Sequence, residues 1–450
     1  MSSGTALDPK QAVAVIGGAV AGAQVTRLLA DRGVMVAVFE QNARPFGKIE
    51  DGLPRWHSAL RNKEFKRIQE RLDHPNIHFL PMTKVGRDVG FRELVDDWGF
   101  SAVVLANGAW RDRPLPIPDA DKYVNKGLIY QNPFIVAFNH AEDPGYTGPK
   151  FPILDGAIVV GGGLASIDVV KVLMLETGRA ALAARGHDID AETLEKAGLP
   201  KTCESLGLRY EDLGLTGATL VYRRRAEDMP LAAIPDGATE EKAQKVMANR
   251  RKILERAQSK FCFRFEELAV PEEGIIENDR LVGLKLRRMQ PGEGRRLVRT
   301  DEVKELRASY VISSIGSIPD PIPGIDMKGE LFAFTDWDLG RLDGLPTVFS
   351  AGNVVTGKGN IVSSRRHSQG IGEHLIRSYL GLDDGPIEGA LDNLSKQAAQ
   401  AGGAVAEAIS NMEPLDEATM AKLKERIAAH QRSIGYEGLA AWLERHPAAA

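Results

Sequence analysis

Short apolar runs, several ending at a glycine, recur along the chain. Residues 12–16 read Ala-Val-Ala-Val-Ile and residues 34–39 read Val-Met-Val-Ala-Val-Phe; similar runs occupy 101–105, 157–160, 218–222, 310–315 and 345–351. Runs this short, without polar alternation, predict strands buried on both faces, as in a parallel sheet covered by helices. The stretches between them have helical composition: an Ala/Leu-rich run after Gly22, charged segments at 61–72 and 240–260, and the run from Val169 to Leu175. Residues 76–80, 261–265, 281–289 and 303–308 read as further strands. Strands alternating with helices predict an α/β fold.

The first run leads into Gly17, Gly18, Ala19 and Gly22, then a helix. Glycines here let the backbone turn tightly and let a pyrophosphate approach the helix N-terminus, where unpaired N–H groups favour negative charge. Glu40 ends the second strand 23 residues after Gly17, where an acid meets the hydroxyls of a ribose. Strand, glycine turn, helix and distant acid together predict a dinucleotide site, although Ala19 stands where the G-x-G-x-x-G pattern has its second glycine.

The pattern returns at 157–168. A buried strand meets Gly161, Gly162 and Gly163, and Leu164, Ala165 and Ser166 open a helix. The strand that should carry the ribose contact ends in Arg223, Arg224 and Arg225 rather than an acid. Guanidinium forks pair with phosphate oxygens, so this second turn is expected to take a 2′-phosphate, that is NADP(H) rather than NAD(H). A third small-residue strand tip, Ala106, Asn107, Gly108 and Ala109, suits close passage of a flat ligand. The span 352–359 spells G-x-x-x-x-G-K-G but lacks the Ser/Thr that binds Mg²⁺ in a P-loop, so no nucleoside-triphosphate site is expected there.

Composition narrows the class. A chain of 450 residues is long enough for two or three domains. A net charge of −4 gives no support for nucleic-acid binding. The two cysteines, Cys203 and Cys262, form no C-x-x-C pair, so neither a redox dithiol nor a cysteine metal site is expected. No signal-peptide pattern and no membrane-length apolar run appear, which points to a cytoplasmic protein. Prolines at 114, 116 and 118, and again at 319, 321 and 323, mark chain crossovers. The expected domains are 1–113 and 331–385, forming one dinucleotide unit in two parts; 114–330, forming the second, with a helical excursion at 178–213; and a C-terminal helical appendage, 386–450. The appendage is expected to pack or dock rather than to build the site.

With both glycine turns and the tip at Gly352 and Asn353 in view, the chain resembles the FAD-dependent pyridine-nucleotide oxidoreductases. Within them it most resembles the adrenodoxin reductase-like branch, which includes NADPH–ferredoxin reductases and the glutamate synthase small subunit. The resemblance covers about residues 10–382 and implies two Rossmann-like domains of the three-layer ββα flavoprotein type. It places FAD in the first domain, with its pyrophosphate on the Gly17 turn and its ribose at Glu40. Val85 would lie near the adenine, Gly47 and Lys48 in the loop beside the cofactor, and Gly352 and Asn353 at the ribityl and pyrophosphate groups. Gly359, Asn360 and Ile361 would meet the flavin edge. Four positions depart from the branch: Ala19 and Phe46 replace glycines, Lys48 replaces an apolar residue, and Asn353 replaces an Asp.

The implied chemistry is hydride transfer from NADPH to FAD, then electron transfer to ferredoxin or another iron–sulfur protein. No side-chain acid or base is required. His57, in the loop near the flavin, is a possible contributor, with a surface histidine as the blander expectation. Lys358, Arg365 and Arg366 would form a basic rim for an acidic partner. Two alternatives stay open: the flavin subunit of a larger complex acting with a 2-oxoacid:ferredoxin oxidoreductase or a glutamate synthase-like partner, and a flavin-binding protein without turnover.

Overall fold

The computed structural model describes residues 9–143, 145–232, 234, 237–293, 296–355, 382 and 390–448. The apolar runs pair as two separate sheets. Strands β1 (Ala12–Ile16), β2 (Met35–Phe39), β3 (Ile77–Leu80) and β4 (Ala102–Leu105) are joined by the late strand Val348–Ser350, in the order Val348–Ser350, β4, β1, β2, β3. All neighbours are parallel, with Ala12 opposite Met35, Val13 opposite Ala102, and Val348 opposite Val103. The second sheet holds β5 (Leu128–Tyr130), β6 (Ile158–Val160), β7 (Thr219–Val221), β8 (Arg264–Glu266) and β9 (Val311–Ser313), in the order β5, β9, β6, β7, β8, again all parallel.

Each sheet has a switch point, because the chain leaves one strand on one side and returns to its other side. In the first sheet this falls between β1 and β4, in the second between β6 and β9. Ligands of such sheets bind outside the carboxyl ends of the strands at these points. Helices α1 (Val20–Ala30), α2 (Ser58–Leu72), α3 (Gln131–His140), α4 (Leu164–Ala183) and α5 (Glu240–Phe261) supply the covering layers. The chain crosses between the sheets twice, and the two crossings lie side by side: Arg111–Asp112 pairs antiparallel with Ser317–Ile318.

One strand was not anticipated, and two expected helical regions pack into the cores of the sheets. The strand Ala269–Glu277 was not predicted. It joins Arg280–Pro291 and Leu297–Arg307 in an antiparallel sheet laced by Lys285–Glu273 and Arg307–Glu277 pairs at 2.9 and 2.7 Å. Its own sequence, with Pro271, Glu272, Glu273 and Gly274, carries no apolar run to announce it. The excursion after α4 folds as two short helices, Ala191–Ala197 and Leu199–Ser205, whose Leu194, Leu199 and Cys203 enter the core of the second sheet. The expected C-terminal helices are present and pack on the first sheet. Helix α6 (Ala390–Ser410) packs along α1, so closely that a Cβ on Gly402 would fall 2.9 Å from Val25 Cγ2. Val405, Ala406 and Ile409 join the core on one face of the first sheet; Met420, Leu423 and Ile427 of α7 (Glu417–Ser433) join the core on the other. Among the described residues no helix is long and apolar enough to cross a membrane, and no group of His, Cys, Asp or Glu is placed to hold a metal ion.

Candidate functional site: two glycine turns and a cavity

At the first switch point the turn is as tight as its glycines allow. Gly17 has φ +99°, and a Cβ there would fall 2.7 Å from Ala106 O at the tip of β4. A Cβ on Gly22 would fall 1.8 Å from Gly17 O. Helix α1 starts at Val20 with no side chain capping it, so its first N–H groups stay available to an anion. Glu40 is 5% exposed and accepts from Gly18 N at 2.9 Å and Asn42 N at 3.0 Å. Burial outweighs these two donors and raises its pKa to about 7.

The turn opens onto a cavity of about 800 Å³. Thr83, Val85 and Arg87 line it together with Glu40; Ala19, Val20 and Ala21 lie at the helix start; Lys48 and Trp110 line it beside α3 and the crossing strand. Ala106, Asn107, Gly108, Gly352 and Asn353 complete the wall, so of the sequence-predicted first-site residues within the described chain most meet around one space. Gly18 and Gly22 lie behind the wall. Two buried polar atoms beside the cavity, Asn107 Oδ1 and Ser350 Oγ, have no hydrogen-bond partner among the described residues. The glycine cradle, the uncapped helix start and these two atoms fit an extended anionic ligand such as FAD. Sequence reasoning missed Ala398, Gln400, Ala401 and Ala404 of α6, which also line the space. Gly359, Asn360, Ile361, Lys358, Arg365 and Arg366 lie outside the described residues.

Three departures from the family pattern have a physical account here. A Cβ on Gly47 (φ +50°) would fall 2.8 Å from Ala19 Cβ, so the missing side chain at 47 makes room for the extra methyl at 19. Phe46 lines the cavity but belongs to the core, 2% exposed and stacked on Phe65 of α2 at 4.1 Å. Burying such a ring contributes about 1.5–3 kcal/mol. Lys48 is held by Asn132 Oδ1 and Ser317 Oγ, both at 3.2 Å.

The second turn uses the same device. A Cβ on Gly161 would fall 2.3 Å from Ser314 O, just past β9. Ser166 is buried; its hydroxyl accepts from Gly163 N and donates to Ser314 O, both at 3.2 Å, so it ties the turn to the neighbouring strand. Leu164 and Ala165 form the first turn of α4 with it. The Tyr222 ring covers Gly162, where a Cβ would fall 2.0 Å from Tyr222 Cε2. Just beyond, Arg223 is exposed, Arg224 is half-buried, and Arg225 pairs with Asp228 at 3.2 Å.

His57 is not on the surface. It is 3% exposed, absent from the cavity wall, and sits where the 52–57 loop meets α4. Trp56 Nε1 donates to His57 Nε2 at 3.2 Å, and Asp168 Oδ1 lies 3.9 Å from that same nitrogen. Lys171, also of α4, donates to Glu195 at 2.6 Å with its ammonium over the Trp56 ring. The loop thus carries aromatic and charged groups that seal one domain against the other.

No family model matches the chain. It is similar to the mitochondrial NADPH:adrenodoxin oxidoreductase of Salvelinus fontinalis, 26% identical over 401 residues that cover 81% of this chain and 76% of that protein. It is also similar to the small chain of glutamate synthase [NADPH] of Escherichia coli, 24% identical over 78% of this chain and 65% of that one. Among solved structures, FprA of Mycobacterium tuberculosis in complex with NADPH superposes with a TM-score of 0.63 at 21% identity, covering 94% of this chain and 91% of that one. The chain has the fold of that protein, and its sequence is similar to those of NADPH:adrenodoxin oxidoreductases.

Proposed function

We propose that this relative of the NADPH:adrenodoxin oxidoreductases is itself a FAD-dependent oxidoreductase, taking hydride from NADPH and passing electrons to a ferredoxin-type iron–sulfur protein. The observation that supports it most is the pairing of two like glycine turns with unlike surroundings. One opens onto a large cavity with a buried acid; the other leads to arginines. Bound FAD supplies the conversion of a two-electron hydride into single electrons.

The chain's own residues bind and orient. The Gly17 turn and the start of α1 receive the FAD pyrophosphate, and Glu40 accepts from the adenosine ribose. The Gly161 turn receives the NADPH pyrophosphate, and Arg223 and Arg224 hold the 2′-phosphate. Neither thiol serves as acceptor: Cys203 is buried, and burial pushes Cys262 up to about 12. The electrons therefore leave the protein.

The test is NADPH-driven reduction of a [2Fe–2S] ferredoxin by the purified chain, beside a small dye. Reduction of both is expected; reduction of the dye alone would remove the iron–sulfur acceptor. The similarity to the glutamate synthase small chain supports a second reading, a flavin subunit of a larger complex. In that case ferredoxin is reduced only when a partner subunit is present.

A further inference from the structure

Lys48 lies on the cavity wall beside Trp110. It follows Gly47, at the start of the short helix Lys48–Asp51, and its ammonium is fixed from three directions. Asn132 Oδ1 of α3 and Ser317 Oγ of the crossing strand each accept from it at 3.2 Å. The Trp110 ring lies beneath it, 5.3 Å from ammonium to centroid. The anchors are themselves tied: Asn132 Nδ2 donates to Trp110 O at 2.8 Å and to Ser317 Oγ at 3.0 Å, and Asn132 N donates to the Asp112 carboxylate at 3.2 Å. A flexible lysine on the surface has no such frame. Here several groups hold one charge at one place on the wall of a binding cavity.

The order of the cavity says what that charge faces. Glu40 and residues 83–87 mark the ribose and adenine end, and the start of α1 marks the pyrophosphate. The part of the wall with Lys48 and Trp110, held against Asn132 and Ser317, is left for the isoalloxazine. That part also abuts α3 and the crossing ribbon, the side from which a nicotinamide bound to the second domain must come. Hydride transfer breaks the C4–H bond of the dihydronicotinamide and delivers two electrons and one proton to the ring, leaving one added negative charge unless a second proton is taken up. A fixed cation in a partly desolvated site stabilises that charge far more than one in water.

We propose that Lys48 raises the reduction potential of the bound flavin, its anchored ammonium favouring the reduced ring. This rests on the FAD reading given above. The charge state suits the role. Burial lowers Lys48 to about 8 against the opposing pull of Asp112, and burial raises Asp112 to about 6 against its Asn132 N–H bond and Lys48. At neutral pH the pair is ammonium and carboxylate, with the carboxylate held back on the crossing ribbon rather than on the cavity wall.

The experiment is the midpoint potential of the flavin in the wild type, Lys48→Met and Lys48→Arg, by equilibration with a reference dye. Loss of the charge in Lys48→Met is expected to shift the flavin–dye equilibrium at least tenfold toward oxidised flavin, ~30 mV for two electrons. Lys48→Arg, which keeps the charge, is expected within threefold of the wild type. Should Lys48→Met not hold flavin, Lys48→Gln against Lys48→Arg makes the same comparison. Variants that bind flavin at the wild-type potential overturn the role of Lys48 and leave the FAD reading intact. A wild type that binds no flavin overturns both.

Discussion

The two glycine turns of this chain are built alike and surrounded differently. Each tucks a glycine under a backbone carbonyl at the end of the strand across the switch point: Gly17 under Ala106 O and Gly161 under Ser314 O. Beyond that the resemblance ends. The first turn is backed by a buried Glu40 and opens onto the large cavity. The second lies under the Tyr222 ring and is followed by guanidinium groups, one of them exposed. A permanently held ligand needs enclosure and a matched acid; a ligand that comes and goes needs a reachable charge at the surface. The same strand–turn–helix unit serves both, and the residues at the tip of the next strand decide which.

Breaking the second surround is expected to have the largest effect. Arg223→Ala with Arg224→Ala removes charge-assisted bonds to a 2′-phosphate, and the Kd for NADPH should rise ~10²-fold, about 3 kcal/mol. The Kd for NADH should stay within ~2-fold, and flavin content should not change. Equal weakening of both coenzymes, measured by stopped-flow titration, would mean that the arginines do not read the phosphate.

A smaller effect is expected in the first surround. Gly47→Ala forces a side chain into a left-handed backbone position and against Ala19 Cβ. FAD affinity should fall ~10–100-fold, about 1.4–2.8 kcal/mol. Adding Ala19→Gly relieves the contact but not the backbone strain, so the double variant should recover part of the loss. No recovery in fluorescence titrations would show that 19 and 47 are not a compensating pair.

A third effect, on stability rather than on binding, concerns Glu40. Its folded pKa of about 7 lies above the ordinary 4.5. Between those values the folded protein keeps a proton that the unfolded chain has lost, so stability falls as pH rises through this window, by ~3 kcal/mol. Below 4.5 the group is neutral in both states and the loss is absent. Urea melts of flavin-free protein should show this slope, and Glu40→Gln should flatten it. An unchanged slope in the variant would assign the pH dependence elsewhere.

Both turns were legible in the sequence because their signal is local: a short apolar run, clustered glycines and a helix lie within twenty residues. The late strand Val348–Ser350 was legible as a strand for the same reason. What could not be read depends on long-range packing. The apolar face of α6 announces a helix, but nothing in its spacing says that it lies along α1 and lines a cavity begun nearly 400 residues earlier. Phe46 breaks a glycine pair in the sequence; only the stack on Phe65 shows that it belongs to the core. His57 sits in a loop rich in Pro, Gly and charge, which suggested exposure, yet α4 closes over it. The polar strand Ala269–Glu277 is held by its neighbours' backbone and ion pairs, neither of which leaves an apolar trace.

The division of labour between the turns is tested most directly by anaerobic titration of the purified, flavin-loaded chain with NADPH and, separately, NADH, following the flavin absorbance. FAD on the first turn and a 2′-phosphate reader on the second predict complete bleaching by about one equivalent of NADPH and far weaker bleaching by NADH. Equal bleaching by the two coenzymes, or a purified chain that carries no flavin to bleach, would contradict it.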